Sequence, residues 1–290
     1  MKRRNTEGTH AFSAYVAGAC GIQDLQGLLI GKDGTFTAAV EAFEIEPEDH
    51  FDRILGNLIA RDELYIKGVL AEKIGVPLYL LVHRTGKSGV TIYEIGLDHQ
   101  TRCPICVDSY KKTEAEFLSW WRAHKQTIQT KGYRNDFKKR VEQSYFDALL
   151  ESHDEKWGGN IDGYLVSGSG ADLDIWGVVE NRYTNKVPIR KYDPQDFFQS
   201  GGGDYYTWLP LILLCRQLRL PLFLATYSNR ANEERLMGLT RVEGLGANGL
   251  TYARNEAGRE IRPCDHILSD TGEVRHWFET NRGALPPSLG

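Results

Sequence analysis

Asp62–His83 reads DELYIKGVLAEKIGVPLYLLVH, and Asp204–Tyr227 reads DYYTWLPLILLCRQLRLPLFLATY. Each stretch opens on an acid and runs through an apolar-rich segment of helical length. Each then reaches a short hinge ending in proline (Pro77, Pro221) and closes on an apolar run, Leu78–Val82 or Leu222–Thr226. Proline cannot continue a helix, and it pushes the residue before it toward an extended conformation. Both stretches therefore predict a helix followed by a buried strand. The same order met twice in one chain is the mark of an internal repeat.

The match extends upstream. LQGLLIGKDGTFTAAVEAF (Leu25–Phe43) aligns with IDGYLVSGSGADLDIWGVVENR (Ile161–Arg182). Both predict a β-hairpin: a strand, a glycine-rich turn, and a second strand ending in glutamate. Gln26 then faces Asp162, Glu41 faces Glu180, and Phe43 faces Arg182. Further upstream Glu7 aligns with Glu142, and downstream TEAEFLSWW (Thr113–Trp121) is similar to TGEVRHWF (Thr271–Phe278). The fold class is α/β: two tandem units, 1–128 and 133–290, each a mixed sheet flanked by helices.

Bulk composition narrows the function classes. The 290 residues are 41% hydrophobic and 26% charged, the profile of a globular chain rather than a disordered one. The net charge of −4 creates no overall field toward nucleic acid, so such binding requires a local basic patch. The start, MKRRNTEGTH, is basic with no apolar run behind it, and no stretch is long enough to span a bilayer, so no membrane role is expected. Five scattered cysteines (Cys20, Cys103, Cys106, Cys215, Cys264) argue against a disulfide framework and for a reducing cytoplasm.

Chemistry concentrates in the second copy. Phe137, Val141, Tyr145 and Leu149 recur every four residues, one apolar stripe of an amphipathic helix with Glu142 at its edge. Asp162 lies near the start of the strand Ile161–Val166. Glu180 and Arg182, two apart on the strand Leu173–Arg182, project to one face. Hydrolysis of a phosphodiester needs a metal to polarise the phosphoryl oxygen and to activate water. Mg²⁺ takes carboxylate oxygens, usually one or two from protein. Asp162 and Glu180 are the candidate ligands of Mg²⁺ (or Mn²⁺), Glu142 assists, and Arg182 steadies the phosphate.

This arrangement resembles the PD-(D/E)xK nuclease superfamily, with its restriction-endonuclease-like fold, over about residues 134–230. Glu142 stands for the helix Glu, Asp162 in NIDG for the Pro-Asp, and Glu180-Asn181-Arg182 for the Glu-x-Lys. Ile161 replaces the proline. Arg182 replaces the lysine, and arginine keeps the charge but is effectively never deprotonated. The resemblance implies a metal-dependent nuclease acting on DNA, or on RNA, in restriction or mobile-element defence. The first copy, with Glu7, Gln26, Glu41 and Phe43 at the aligned positions, reads as a degenerate unit.

Two basic clusters flank the proposed site: Lys131–Arg140, with Lys138 and Lys139, and Lys186–Lys191, with Lys186, Arg190 and Lys191. Tyr133, Tyr183 and Tyr192 lie among them. Cations neutralise phosphates, and aromatics stack on bases. Other signals compete. The carboxylate-dense Glu41–His50 is an alternative metal position. Cys103 and Cys106, with His99 or with Cys264 and His266, have partial zinc spacing, although a tight loop with half-buried thiols reads more simply. Gly201–Gly203 precedes a helix without the lysine of a P-loop, and Asp204 reads as its N-cap. The main alternative to a nuclease is an inactive nuclease-fold scaffold that binds nucleic acid or protein, alone or as a homodimer.

Overall fold

Apolar runs bounded by glycine turns become strands, and the two helix–hinge–strand stretches become crossovers between parallel strands. The computed structural model describes residues 2–3, 21–47, 63–125, 144–168, 172–198, 203–228 and 230–290. They divide into two compact units. One contains 25–160 with 2–3, and the other 161–290 with 21–24.

The first unit contains β1 (Lys2–Arg3), β2 (Gly21–Ile30) and β3 (Phe36–Ile45). Next come α1 (Glu63–Ile74), β4 (Leu78–Arg84), β5 (Val90–Asp98) and β6 (Cys103–Lys112). Helices α2 (Glu114–His124) and α3 (Tyr145–Glu151) complete it. The strand order is β2-β3-β4-β5-β6, parallel only between β3 and β4. Alternation sorts the side chains onto two faces. Ala38, Val40 and Ala42 of β3 pack with Phe117, Leu118 and Trp121 of α2 and with Phe146, Leu149 and Leu150 of α3. Glu41, between them in sequence, points to the opposite face and meets α1. Helix α2 begins at a capping box, in which Thr113 and Glu116 satisfy each other's backbone N–H groups. The helix of Tyr145–Glu151 was expected to open the second copy. Its apolar face instead fills the first unit's core, so the division falls at residues 160 and 161 rather than near 130.

The second unit contains β7 (Gly159–Ser167), β8 (Asp174–Thr184), α4 (Gly203–Leu218), β9 (Leu222–Ser228) and β10 (Met237–Gly246). Then follow β11 (Gly249–Tyr252), β12 (Ile267–Leu268), α5 (Thr271–Thr280) and β13 (Ser288–Leu289). The order is β7-β8-β9-β10-β11, parallel between β8 and β9, with β12 and β13 also pairing β10. Val274 and Phe278 of α5 pack on Leu165, Trp176, Val179, Phe223 and Ala225. The strands expected at Leu78–Val82 and Leu222–Thr226 start where expected and run two residues further at their C-terminal ends, because pairing continues there past the apolar core.

The internal registers of the two units agree. Leu28↔Ala39 and Leu29↔Ala38 in one hairpin match Tyr164↔Val178 and Leu165↔Gly177 in the other, and both hairpins shift register at the next step. Glu41 pairs Leu80 and Glu180 pairs Leu224, each two steps into the parallel ladder. The helix ends agree as well. Gly75 (φ 75°) and Arg219 (φ 56°) both take the left-handed conformation. Val76 N–H donates to Ala71 O, and Leu220 N–H to Cys215 O, closing each helix with a Schellman turn.

Candidate functional site

On β8 of the second unit, Glu180 and Arg182 share the face turned toward α4. The Arg182 guanidinium lies 2.9 Å from Glu180 Oε1 and stacks over the Trp208 ring of α4 at 5.2 Å from its centre. Asp162 lies on β7, one residue before the Gly163↔Val179 pair, and its Oδ2 accepts the Asn181 N–H at 3.0 Å. The carboxylate of Asp162 is thus fixed to the backbone between Glu180 and Arg182. Glu180 is 5% exposed. Burial pushes its carboxyl up to about 8, the neighbouring Asp162 charge adds to the rise, and Arg182 opposes it. Two carboxylates and one cation therefore converge on one face at the C-terminal part of a parallel strand. A divalent cation relieves repulsion between paired carboxylates, so Asp162 and Glu180 are chemically suited to hold one. Among the described residues no group of three or more His, Cys, Asp or Glu side chains is arranged to hold a metal, so water and substrate oxygens would complete such a shell.

The same backbone bond exists in the first unit with an amide in place of the acid. Gln26 Oε1 accepts the Ala42 N–H at 2.8 Å, and Glu41 Oε1 accepts the Gln26 N–H at 3.0 Å. Phe43 stands where Arg182 stands. The cation comes from elsewhere: Lys67 Nζ of α1 lies 2.9 Å from Glu41 and 3.1 Å from Glu63. Lys67 and Glu41 are 2% and 1% exposed. The sequence held one signal for Lys67. Leu64, Lys67, Gly68, Ala71 and Ile74 follow the spacing of a helix's buried stripe, with a single charge inside it.

The remaining candidates separate. The helix expected through Phe137–Leu149 starts at Tyr145, with Ser144 as its N-cap. Glu142, Lys138 and Lys139 lie outside the described residues, as do Glu7 and Glu48–His50. Lys186, Arg190 and Lys191 are exposed on the segment leaving β8, and none forms an ion pair among the described residues. Cys103 and Cys106 are not in a loop but on β6, where residues three apart leave opposite faces of the strand. Their thiols point to Thr101 O and Asp108 O, and His99 faces Glu72 at 3.1 Å. Helix α4 starts at Gly203, so Asp204 is its second residue rather than its cap. No helix among the described residues is long and apolar enough to cross a membrane.

No protein-family model matches the chain, and neither a curated protein nor a solved structure matches it.

Proposed function

We propose that this chain is a metal-dependent nuclease of PD-(D/E)xK type whose chemistry resides in its second unit, the first being a degenerate tandem copy. The observation that carries the reading is the Asp162–Glu180–Arg182 face, with Asp162 anchored to Asn181 N–H and Glu180 paired to Arg182. Asp162 and Glu180 are the residues to hold Mg²⁺ or Mn²⁺. When bound, such an ion polarises a phosphoryl oxygen and makes its water more acidic. The chain's own contributions are separate. Asn181 N–H fixes one Asp162 oxygen, which preorganises the carboxylate. Arg182 places a permanent positive charge beside the site, suited to a phosphate and unsuited to taking a proton. Lys186, Arg190 and Lys191 supply cations for the phosphate backbone on the strand's exit. The substrate is nucleic acid, with DNA favoured over RNA by the resemblance alone, and the setting is cytoplasmic defence against foreign DNA.

One observation favours the second reading, a scaffold without catalysis. The only basic residue paired to Glu180 among the described ion pairs is an arginine, not the lysine that a working Glu-x-Lys motif carries. A cleavage assay separates the two. Plasmid, single-stranded DNA and RNA are incubated with Mg²⁺ and with Mn²⁺, using wild type, Asp162→Ala and Glu180→Ala. Cleavage lost in both variants supports the nuclease. Intact substrate throughout, with the protein folded, leaves the scaffold.

A further inference from the structure

Both units bury a glutamate at the same step of the same parallel ladder, and each neutralises it differently. A carboxylate removed from water needs a charge partner. In the first unit that partner is Lys67, which is 2% exposed, arrives from α1, and is clamped between Glu41 at 2.9 Å and Glu63 at 3.1 Å. In the second unit the equivalent helix position holds no charge. Leu211, which precedes Arg219 by the same number of residues as Lys67 precedes Gly75, is a buried leucine. The cation beside Glu180 is Arg182, two residues along the strand, whose side chain is 29% exposed and is held on its other side by the Trp208 ring.

We infer that Arg182 is a displaceable counter-ion that competes with a divalent cation for Glu180, whereas Lys67 is a fixed one for Glu41, so that of these two glutamates it is Glu180 that takes a divalent cation. This rests on the metal reading of Asp162 and Glu180. Lys67 is itself 2% exposed and is held by two carboxylates at once, the buried Glu41 and the partly exposed Glu63, so leaving Glu41 means breaking both pairs. Arg182 is held by a single carboxylate among the described ion pairs, and although its Nε and Nη2 are buried, its side chain as a whole is 29% exposed, so a path to solvent begins at the site. Arg182 is thereby an internal brake on metal binding, and its release from Glu180 is what leaves it available to a phosphate.

Free Mn²⁺ is titrated by electron paramagnetic resonance against wild type, Arg182→Met, Trp208→Phe, Glu180→Gln and Glu41→Gln, each checked for folding by circular dichroism. Wild type is expected to bind one Mn²⁺ per chain, and Glu180→Gln to lose it. Arg182→Met should bind about tenfold more tightly, which corresponds to about 1.4 kcal/mol. Trp208→Phe, which shrinks the buried ring under the guanidinium and keeps Arg182 in place, should bind a few-fold more tightly and covers the case of a misfolded Arg182→Met. Equal or weaker binding by Arg182→Met and Trp208→Phe overturns the competition while leaving the metal reading intact. No binding by wild type or either of these variants overturns the metal reading itself. A second Mn²⁺ that disappears in Glu41→Gln overturns the assignment of Lys67 as a fixed counter-ion.

Discussion

Replacing Lys67 by methionine tests whether the first unit's interior depends on a built-in ammonium. Methionine has nearly the length of the lysine stem and packs well in apolar surroundings, so little cavity results. What changes is charge: Glu41, 1% exposed, is left without the ammonium that lies 2.9 Å away. Removing one partner of a buried ion pair costs about 3–5 kcal/mol, because the other charge stays buried and uncompensated. Glu41→Gln should cost less, about 1–3 kcal/mol. It keeps an acceptor for the Gln26 N–H, and it leaves Lys67 beside Glu63, which is 24% exposed. The double variant removes both charges at once and should be milder than Lys67→Met alone, giving a coupling energy of roughly 2 kcal/mol. Urea unfolding followed by circular dichroism measures this. With a slope of about 2–3 kcal/mol/M, Lys67→Met should lower the first unit's midpoint by roughly 1–2 M. A loss below about 1 kcal/mol, or a double variant as damaged as Lys67→Met, would falsify the claim that Lys67 exists to neutralise Glu41.

Glu180 carries a pH signature: its carboxyl rises from the ordinary 4.5 to about 8, so the folded state holds this proton more tightly than the unfolded chain. Its contribution is complete below about pH 4.5 and declines up to about pH 8, by at most about 5 kcal/mol. Glu180→Gln should abolish that part of the decline, and parallel stability–pH curves for the two proteins would refute the burial argument. Arg219 sits at φ 56° in a helix-ending turn, where glycine relieves side-chain strain, so Arg219→Gly should be neutral or stabilising by up to about 1 kcal/mol in thermal melts; a clear loss would show that the arginine side chain is needed. Neutralising Lys186, Arg190 and Lys191 together should weaken DNA binding and flatten the log affinity against log salt plot by roughly 3; an unchanged slope removes this segment from the interface. Trp121→Ala, at a fully buried ring between α2, α3 and the sheet, should destabilise the first unit by about 3–5 kcal/mol in the same urea assay.

Local patterns made the hairpins and crossovers legible. Gly31–Thr35 and the turn after Ser167 interrupt apolar alternation, and a proline hinge before each parallel strand marks where a helix must have ended. The residues that align in sequence also occupy the same register steps, bulge included. Tyr145–Glu151 was legible as a helix, yet its destination was not. Its apolar stripe fixes which face is buried but not against which sheet. That choice depends on the shape complementarity of Phe146 and Leu150 with Phe117, Trp121 and Trp157, contacts distant in sequence. Cys103-Pro-Ile-Cys106 misled for a related reason. Proline and two cysteines suggest a turn, but the segment lies on an edge strand, where proline is tolerated because one side of the backbone needs no ladder partner.

At the candidate site, sequence spacing placed Glu180 and Arg182 together because a strand's period of two is rigid, and the 2.9 Å ion pair follows from it. The reading of the first unit as a site that had merely lost residues missed its substitution. Aligning Gln26, Glu41 and Phe43 against Asp162, Glu180 and Arg182 compares strands with strands, whereas the first unit's cation arrives from a helix. Charge in a protein interior is balanced in space and not along the chain, so a motif comparison can find a missing cation but not its replacement. The amide of Gln26 shows the same logic. It keeps the bond to the next strand's N–H that Asp162 also makes, and it discards the charge. An acidic residue at that step is therefore not needed for the hairpin, and the second unit's retention of Asp162 next to a buried Glu180, despite the repulsion between them, is the feature that asks for a chemical use.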